Sequence, residues 1–280
     1  MKQHLLTIVL ALVFLIGLAL LLYPTVSDYF ISRSQSRVVS SYHDEVMLMD
    51  ESEIIAMFEA AYAYNDRLRL KQDRFSLTDE EYSEYNNLLN VGGRGVIGAL
   101  EVELVGINLP IYHGTSESVL QVALGHLEGT SLPVGGPSTH TVITGHRGLP
   151  SATLLSNIDR LEIGDVFEVR VLNQTLTYQV DQIQIVEPHD FSFLGIYQGR
   201  DYATLLTCTP IGINSHRLLV RGHRIESEAA AARRPVILSE AMRPGNLWVI
   251  LIVLIPALGL ILLVRLVIFL RNSWKRGSSK

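Results

Sequence analysis

Cysteine is almost absent from this 280-residue chain, which contains only Cys208. A single cysteine cannot form a disulfide within its own chain, so Cys208 is either a small buried apolar residue or a reactive thiol. Basic clusters are also absent from the middle of the sequence, and the formal net charge is −5. Domains that bind nucleic acid usually carry a concentrated basic patch, so the sequence predicts no nucleic-acid partner.

Long apolar runs lie near both ends of the sequence. Residues 5–22 carry no charge and are about as long as a helix that crosses a bilayer. They are either a cleaved signal or a retained anchor over residues 1–23, and their end, Leu-Leu-Tyr-Pro, lacks the small residues of a cleavage site. This favours the anchor. Residues 247–270, interrupted only by Pro256 and Arg265, predict a second transmembrane helix.

The charges that flank these two runs predict the orientation in the cell membrane. Lys2 precedes the first run, and Lys275, Arg276 and Lys280 follow the second. Because positive residues accumulate on the cytoplasmic side, both termini are expected in the cytoplasm, with residues 271–280 as a basic cytoplasmic tail. The middle of the chain is then extracellular.

Helical patterns come first in this middle part. Apolar residues at helical spacing predict an amphipathic helix over residues 44–70. Thr78 and Glu81 have the spacing of a capping box, which predicts a second helix from Thr78 to about Leu89. Residues 24–94 are therefore interpreted as an N-terminal helical region, and the alanine-, arginine- and proline-containing residues 226–246 as a linker.

Short β-branched runs replace the helical pattern from about residue 95. The predicted strands are residues 99–105, 141–144, 166–172, 175–186, 203–207 and 217–221. Many short strands separated by Gly, Pro and Asn, with few helices among them, are typical of an antiparallel sandwich or a closed barrel. The sequence predicts a mainly β domain over residues 95–225.

Cys208 lies where reactive groups are often presented, at the end of a strand. Pro210 follows closely and cannot continue a central strand. A thiol attacks as its thiolate and therefore needs a base nearby. Of the nine histidines, His146 is the best placed, because it follows an apolar strand and lies among glycines; His140 and His216 remain alternatives.

Two arginines share one face of the last predicted strand. Arg217 and Arg221 are separated by about 13 Å in an extended chain, so at most one of them can bind the oxyanion of an acyl-transfer intermediate. The alternative is an ordinary solvated strand edge.

Three segments together resemble one family, the sortases, and within it the class C or pilin-polymerising group. Residues 142–150 resemble the histidine segment of the family, residues 205–210 its TLxTC segment, and residues 214–222 its arginine strand. Residues 109–114 and 125–133 are also similar. The resemblance implies an eight-stranded sortase β-barrel in which His146, Cys208 and Arg217 converge, and it prefers these three to their alternatives.

The resemblance also implies an activity. Family members cleave Leu-Pro-x-Thr-Gly sorting signals between Thr and Gly through a cysteine acyl-enzyme, and the pilin-polymerising group transfers the acyl group to a lysine amine of a pilin subunit. No cofactor is required, and the partners are pilin subunits and the membrane. This chain contains no Leu-Pro-x-Thr-Gly segment of its own, so it is expected to act on such signals.

Class C sortases carry a lid with an Asp-Pro-aromatic motif over the active site. Asp73-Arg74-Phe75 resembles it, with arginine in place of proline. We expect Asp73 to pair with Arg217 and Phe75 to cover Cys208, in a looser lid because the fixed φ of proline is missing. An ordinary loop is the alternative. Residues 188–201 resemble the variable loop that shapes specificity in the family.

Other sites and activities are alternatives to this interpretation. Asp165 and Glu168 are too few and too spread along a strand to bind calcium, so no metal is predicted. A housekeeping sortase would attach proteins to peptidoglycan by the same chemistry, but the second anchor and the lid-like segment favour pilin polymerisation. A papain-like hydrolase places its cysteine before its histidine, unlike this chain. A non-enzymatic surface module with an inert Cys208 is the remaining alternative.

Overall fold

The computed structural model describes residues 2–226 and the isolated positions 259 and 265. The predicted linker beyond residue 226, the second apolar run at 247–270 and the basic tail at 271–280 lie outside the described residues, apart from those two positions. Among the described residues, residues 2–29 belong to one compact unit and residues 30–226 to another.

Two long helices come first in the chain. Helix α1 spans Lys2–Met47 and contains Pro24, and helix α2 spans Glu51–Leu68. Leu12–Met47 is long and apolar enough to cross a membrane by length and composition. An apolar N-terminal helix was therefore predicted correctly. The helix predicted from residue 44 instead begins at Glu51, because the extended backbone of Asp50 separates it from α1.

Helix α3, Asp79–Asn87, begins at the predicted capping box. The Thr78 hydroxyl accepts a hydrogen bond from the Glu81 backbone N–H (3.3 Å), and the Glu81 carboxylate accepts one from the Thr78 N–H (2.8 Å). Lys71 Nζ also contacts the same carboxylate at 2.6 Å. These bonds fix the start of α3 directly behind residues 71–77, which connect it to α2.

Eight strands form a closed barrel in the order β1-β2-β3-β4-β7-β8-β6-β5. They are β1 (Val96–Val102), β2 (Ile107–His113), β3 (Leu124–His126), β4 (Thr139–Thr144), β5 (Val166–Val171), β6 (Gln174–Val186), β7 (Asp201–Thr209) and β8 (His216–Ile225). A short helix, α4 (Glu117–Leu120), lies between β2 and β3. The predicted eight-stranded barrel with N-terminal helices is confirmed.

The barrel is not purely antiparallel: of the two predicted alternatives, an antiparallel sandwich or a closed barrel, the structure is a closed barrel with two parallel pairs. Strand β2 pairs with β3 in parallel, and β4 pairs with β7 in parallel. The second pair arises because the chain leaves β4, builds the β5–β6 hairpin and then returns beside β4. Its consequence is local: β4 and β7 end at the same edge of the barrel.

The inward faces of the strands form the main core. Leu100, Ile143, Leu205 and Val220 are fully buried there. Tyr42 of α1 joins this core to the helical region, since its hydroxyl donates to the Ile97 carbonyl (3.2 Å) and accepts from the Leu172 N–H (2.8 Å).

Candidate active site

Cys208 lies at the penultimate position of β7 and is half-buried with a free thiol. Alternation along the strand directs Leu205 into the main core, whereas Leu206 packs into a second apolar cluster on the outer face. Cys208 is two residues beyond Leu206 and therefore shares the outer face. The thiol is thus presented outside the barrel core, at the edge where β7 ends.

Arg217 is the residue directly opposite Cys208 in the antiparallel pairing of β7 with β8. Directly opposite side chains in such a pair have Cβ atoms about 5 Å apart on one face. The Arg217 Nη1 donates to the backbone carbonyls of Asn214 and His216, both at 3.1 Å. These bonds hold the guanidinium beside the loop that precedes β8.

Arg221, the alternative arginine, is committed to another contact. Its guanidinium forms a two-point ion pair with Asp181, with N–O distances of 2.9 and 3.2 Å, and lies 4.2 Å from the centroid of the Tyr202 ring. Strand β8 therefore places one arginine opposite Cys208 and engages the other in a structural pair.

His146 follows β4, and the parallel pairing of β4 with β7 determines its position along β7. Thr144 is the register partner of Leu206, so two further residues along each strand lead to His146 and Cys208. The pairing continues past the strand end, because the Gly145 N–H donates to the Leu206 carbonyl (3.2 Å) and the Thr207 hydroxyl donates to the Gly145 carbonyl (2.7 Å). His146 and Cys208 therefore emerge at the same edge.

The His146 ring has one nitrogen that forms no hydrogen bond in the described part of the chain. Its Nε2 is buried and forms no hydrogen bond there, and the nearest acid is Glu117 of α4, whose Oε1 lies 3.6 Å away. The other two histidines are occupied: His140 is buried with both ring nitrogens bonded, and His216 contacts Ser215 and Glu187. Of these three histidines, His146 is thus the one at the barrel edge where β7 ends whose Nε2 forms no hydrogen bond in the described residues.

Arg147 anchors this histidine segment, and sequence reasoning missed it. Its guanidinium pairs with Asp159, and its Nη1 also donates to the Thr209 hydroxyl at 3.3 Å. The side chain is only 8% exposed. Arginine immediately after the histidine was visible in the sequence, but its partner Asp159 is twelve residues away and offered no signal.

An apolar cluster covers the outer face next to Cys208; we call it the outer cluster. Its buried members are Val142, Val186, Leu194 and Leu219, with Phe75, Leu127, Phe193 and Leu206 packed against them. These side chains come from β4, β6, β7 and β8, from the loop between β6 and β7, from Leu127 just after β3 and, for Phe75, from the segment between α2 and α3. Leu206 of this cluster precedes Cys208 by two residues on the same face of β7, so the outer cluster lies beside the position of the thiol.

The lid-like segment lies on this outer cluster. Phe75 packs into the cluster, and its ring centroid lies 4.9 Å from that of Phe191. Arg74 Nη2 donates to the Leu194 carbonyl at 2.6 Å, and the guanidinium carbon is 4.7 Å from the Phe75 ring centroid. Arg74, which replaces the expected proline, therefore contributes a contact of its own.

Asp73 does not make the contact expected for it. Its side chain is exposed, and within residues 2–226 it forms no ion pair with Arg217 or with any other basic residue. The segment is held by Arg74 and Phe75 instead. The reason is geometric, since the Arg217 guanidinium is directed to the carbonyls of its own loop.

No group of three or more His, Cys, Asp or Glu side chains suited to a metal ion occurs among the described residues. Asp165, one of the two acids considered for calcium, accepts a hydrogen bond from the Glu162 N–H at 2.7 Å and so caps a turn.

The barrel is closed and eight-stranded, and it brings a half-buried cysteine, an arginine and a histidine to one edge. This combination is typical of enzymes that transfer acyl groups through a cysteine. Residues 100–225 match the sortase domain family. The chain is 47% identical to sortase C1 from Streptococcus agalactiae, with a TM-score of 0.65, covering 68% of this chain and 98% of that structure. It is 50% identical to sortase C of Streptococcus pneumoniae, with a TM-score of 0.62, covering 68% and 97% of the two chains.

A more distant relative is sortase D of Bacillus subtilis, 27% identical over 131 residues, which is 46% of this chain and 63% of that protein. The chain therefore spans less than two thirds of that relative's length. Together with the two sortase C structures, this places the chain plainly: it belongs to the sortase family of cysteine transpeptidases.

Proposed function

We propose that this protein is a pilin-polymerising transpeptidase that cleaves Leu-Pro-x-Thr-Gly-type signals between Thr and Gly and joins the acyl group to a pilin lysine. The observation that carries the proposal is the meeting of Cys208, Arg217 and the His146 segment at one edge of the barrel. Family membership supports the reaction type. The Streptococcus pneumoniae sortase C, described with pilin substrate specificity, supports the substrate class.

The first half of the proposed reaction forms an acyl-enzyme. The Cys208 thiolate attacks the carbonyl carbon of the signal threonine, and the electron pair of that carbonyl moves to oxygen. Arg217, opposite the thiol, stabilises this oxyanion or positions the signal. His146 in its protonated form donates a proton to the departing glycine amine, the C–N bond breaks, and a thioester on Cys208 remains.

The second half transfers the acyl group to the amine. The neutral lysine amine attacks the thioester carbonyl, its proton passes to His146, and the C–S bond breaks to regenerate the thiolate. The product is an isopeptide bond between two subunits. The apolar outer cluster supports binding of the Leu and Pro side chains of a signal next to Cys208, and it requires Phe75 to leave first.

The membrane placement belongs to the same proposal. An apolar helix within residues 12–47 is long enough to anchor the chain. We propose that it does so, that residues 247–270 form a second transmembrane helix, and that both termini are cytoplasmic. The barrel then lies on the extracellular side of the cell membrane, where secreted pilin subunits are delivered.

The proposal is tested by incubating the full chain in detergent with a signal-bearing pilin and a lysine-bearing pilin, then locating the isopeptide bond by tandem mass spectrometry. Cys208→Ala should abolish ligation, and His146→Ala and Arg217→Ala should each slow it about 100-fold or more. His216→Ala, the matched histidine control, should stay within about twofold of the parent.

The products formed in this experiment distinguish the competing functions. Ligation to a peptidoglycan stem amine but not to the pilin lysine would favour a housekeeping sortase. Absence of both products, in a chain that still folds, would contradict the enzyme reading and leave a binding module.

A further inference from the structure

The turn between β6 and β7 links two parts of the molecule through neighbouring carbonyl groups. The Leu194 carbonyl accepts the hydrogen bond from Arg74 of the lid-like segment, at 2.6 Å. The next carbonyl, that of Gly195, contacts the His140 Nδ1 of β4 at 2.8 Å. Leu194 therefore holds the lid-like segment, while Gly195 is held by His140 of the barrel.

His140 is built to hold this turn in one position. Its side chain is fully buried, and because Nδ1 faces a carbonyl oxygen it must carry the proton and donate. The Nε2 is then an acceptor, and the Thr204 hydroxyl lies 2.7 Å away to donate to it. Tyr202 packs edge-on against the ring at 5.7 Å between centroids. Burial also lowers the pKa of His140 to about 4, which keeps the ring neutral.

The hydrogen bond between Arg74 and the Leu194 carbonyl depends on the position of this turn. Leu194 is 1% exposed and packs in the outer cluster, so its carbonyl cannot move without disturbing that packing. In the described part of the chain, the bond to Leu194 is the only hydrogen bond of the Arg74 guanidinium, whose Nη1 is buried without a partner. A displaced turn would therefore leave Arg74 with no anchor.

We propose that His140, supported by Thr204, is a positioning residue that fixes the Leu194–Gly195 turn and thereby sets how tightly Arg74 holds the lid-like segment closed. The inference rests on the proposed function only in treating residues 73–75 as a lid. It assigns to His140 a role that the reacting residues do not have: His140 acts through the turn and does not touch the substrate.

Arg74 itself provides the measurement, because trypsin cleaves after arginine only when that side chain leaves its contacts. The full chain in detergent is treated briefly with trypsin, and cleavage after Arg74 is quantified by mass spectrometry. Cleavage after Arg170, the penultimate residue of β5, serves as the reference for opening of the barrel, because β5 is paired with both β1 and β6. When opening is fast compared with cleavage, the rate reports the population of the open form.

His140→Leu removes both ring nitrogens and leaves the Gly195 carbonyl unpaired, so cleavage after Arg74 should rise at least about fivefold relative to cleavage after Arg170. Thr204→Val, which removes only the donor to Nε2, should give a smaller rise. His140→Asn is the conservative control, because its amide can donate in place of Nδ1, and it should stay within about twofold of the parent chain.

Two results would overturn the inference. One is an unchanged cleavage ratio in His140→Leu. The other is a rise in this ratio that is equally large in His140→Leu and His140→Asn, which would show that donation to the Gly195 carbonyl does not hold the turn. Because the readout is conformational, it is independent of whether the transpeptidation proposal succeeds.

Discussion

Tyr85 connects the helix behind the lid-like segment to the barrel. The side chain is fully buried, and its hydroxyl accepts a hydrogen bond from the Gly114 N–H at 2.9 Å. The same hydroxyl lies 2.9 Å from His126 Nδ1, and the ring packs edge-on against His113. One residue of α3 thus joins β3 and the loop that follows β2.

Removing this hydroxyl should cost stability out of proportion to its size. Tyr85→Phe leaves the Gly114 N–H without its partner, so the free energy of unfolding of residues 30–237 should fall by about 1–3 kcal/mol. Urea denaturation measures the loss. Tyr82→Phe on the same helix, with a ring 48% exposed, should change it by less than about 0.5 kcal/mol. Equal effects of the two variants would show that the hydroxyl network does not stabilise the fold.

His126 makes stability depend on pH. Burial lowers its pKa from an ordinary 6.5 to about 4, with the Ser131 carbonyl 2.8 Å from Nε2 opposing the shift. The unfolded chain therefore binds a proton between pH 6.5 and 4 that the folded chain does not. The resulting stability is fully present above pH 6.5 and is lost as the pH falls toward 4.

The expected loss from His126 over this window is about 3 kcal/mol, and His140 contributes in the same window. Urea denaturation of residues 30–237 at pH 7 and pH 4.5 should show the loss in the parent. His126→Asn should show a smaller difference between the two pH values, whereas the exposed His43→Gln should keep the parental difference. If His126→Asn also keeps it, this histidine is not the titrating group.

Helix α3 and the segment before it act as one element. The capping box at Thr78 and Glu81 fixes the start of α3, and Lys71 contacts both the Glu81 carboxylate and the Ser76 carbonyl. The helix start and the lid-like segment therefore share their anchoring groups. Loss of the cap is expected to loosen both.

Thr78→Ala should lower the free energy of unfolding by about 1 kcal/mol and increase hydrogen exchange in residues 79–82, because the Glu81 N–H loses its acceptor. Hydrogen-exchange mass spectrometry on residues 30–237 measures the second effect directly. Ser83→Ala, an exposed change in the same helix, is the control and should leave both quantities near the parental values. Faster exchange in both variants would show that the effect is not specific to the cap.

The helices and strands show which parts of the fold can be predicted from sequence patterns. The capping box predicted the start of α3, and β-branched runs located six of the eight strands. Strand β2 was missed because Pro110 interrupts its pattern, and β3 because three residues carry no period. The parallel pairing of β4 with β7 depends on how the chain returns after β6, which local spacing does not encode.

At the scale of the whole molecule, the candidate site was accessible from motifs because its residues lie at strand ends that the fold brings together. Position in the resembling motifs singled out Cys208, His146 and Arg217, and the register places Arg217 opposite Cys208. Contacts between distant segments were not accessible. Arg147 with Asp159 and Arg74 with Leu194 depend on side-chain directions that emerge only in the folded barrel.

The most direct test of the account is to trap the acyl-enzyme on the full chain. The chain is incubated with a Leu-Pro-x-Thr-Gly peptide without an amine acceptor, and intact and tandem mass spectrometry locate the added mass. The account predicts an adduct ending at threonine on Cys208, faster to form in Phe75→Ala and released when a pilin-derived amine is added. An unmodified Cys208 in both the parent and a folded Phe75→Ala chain would contradict it.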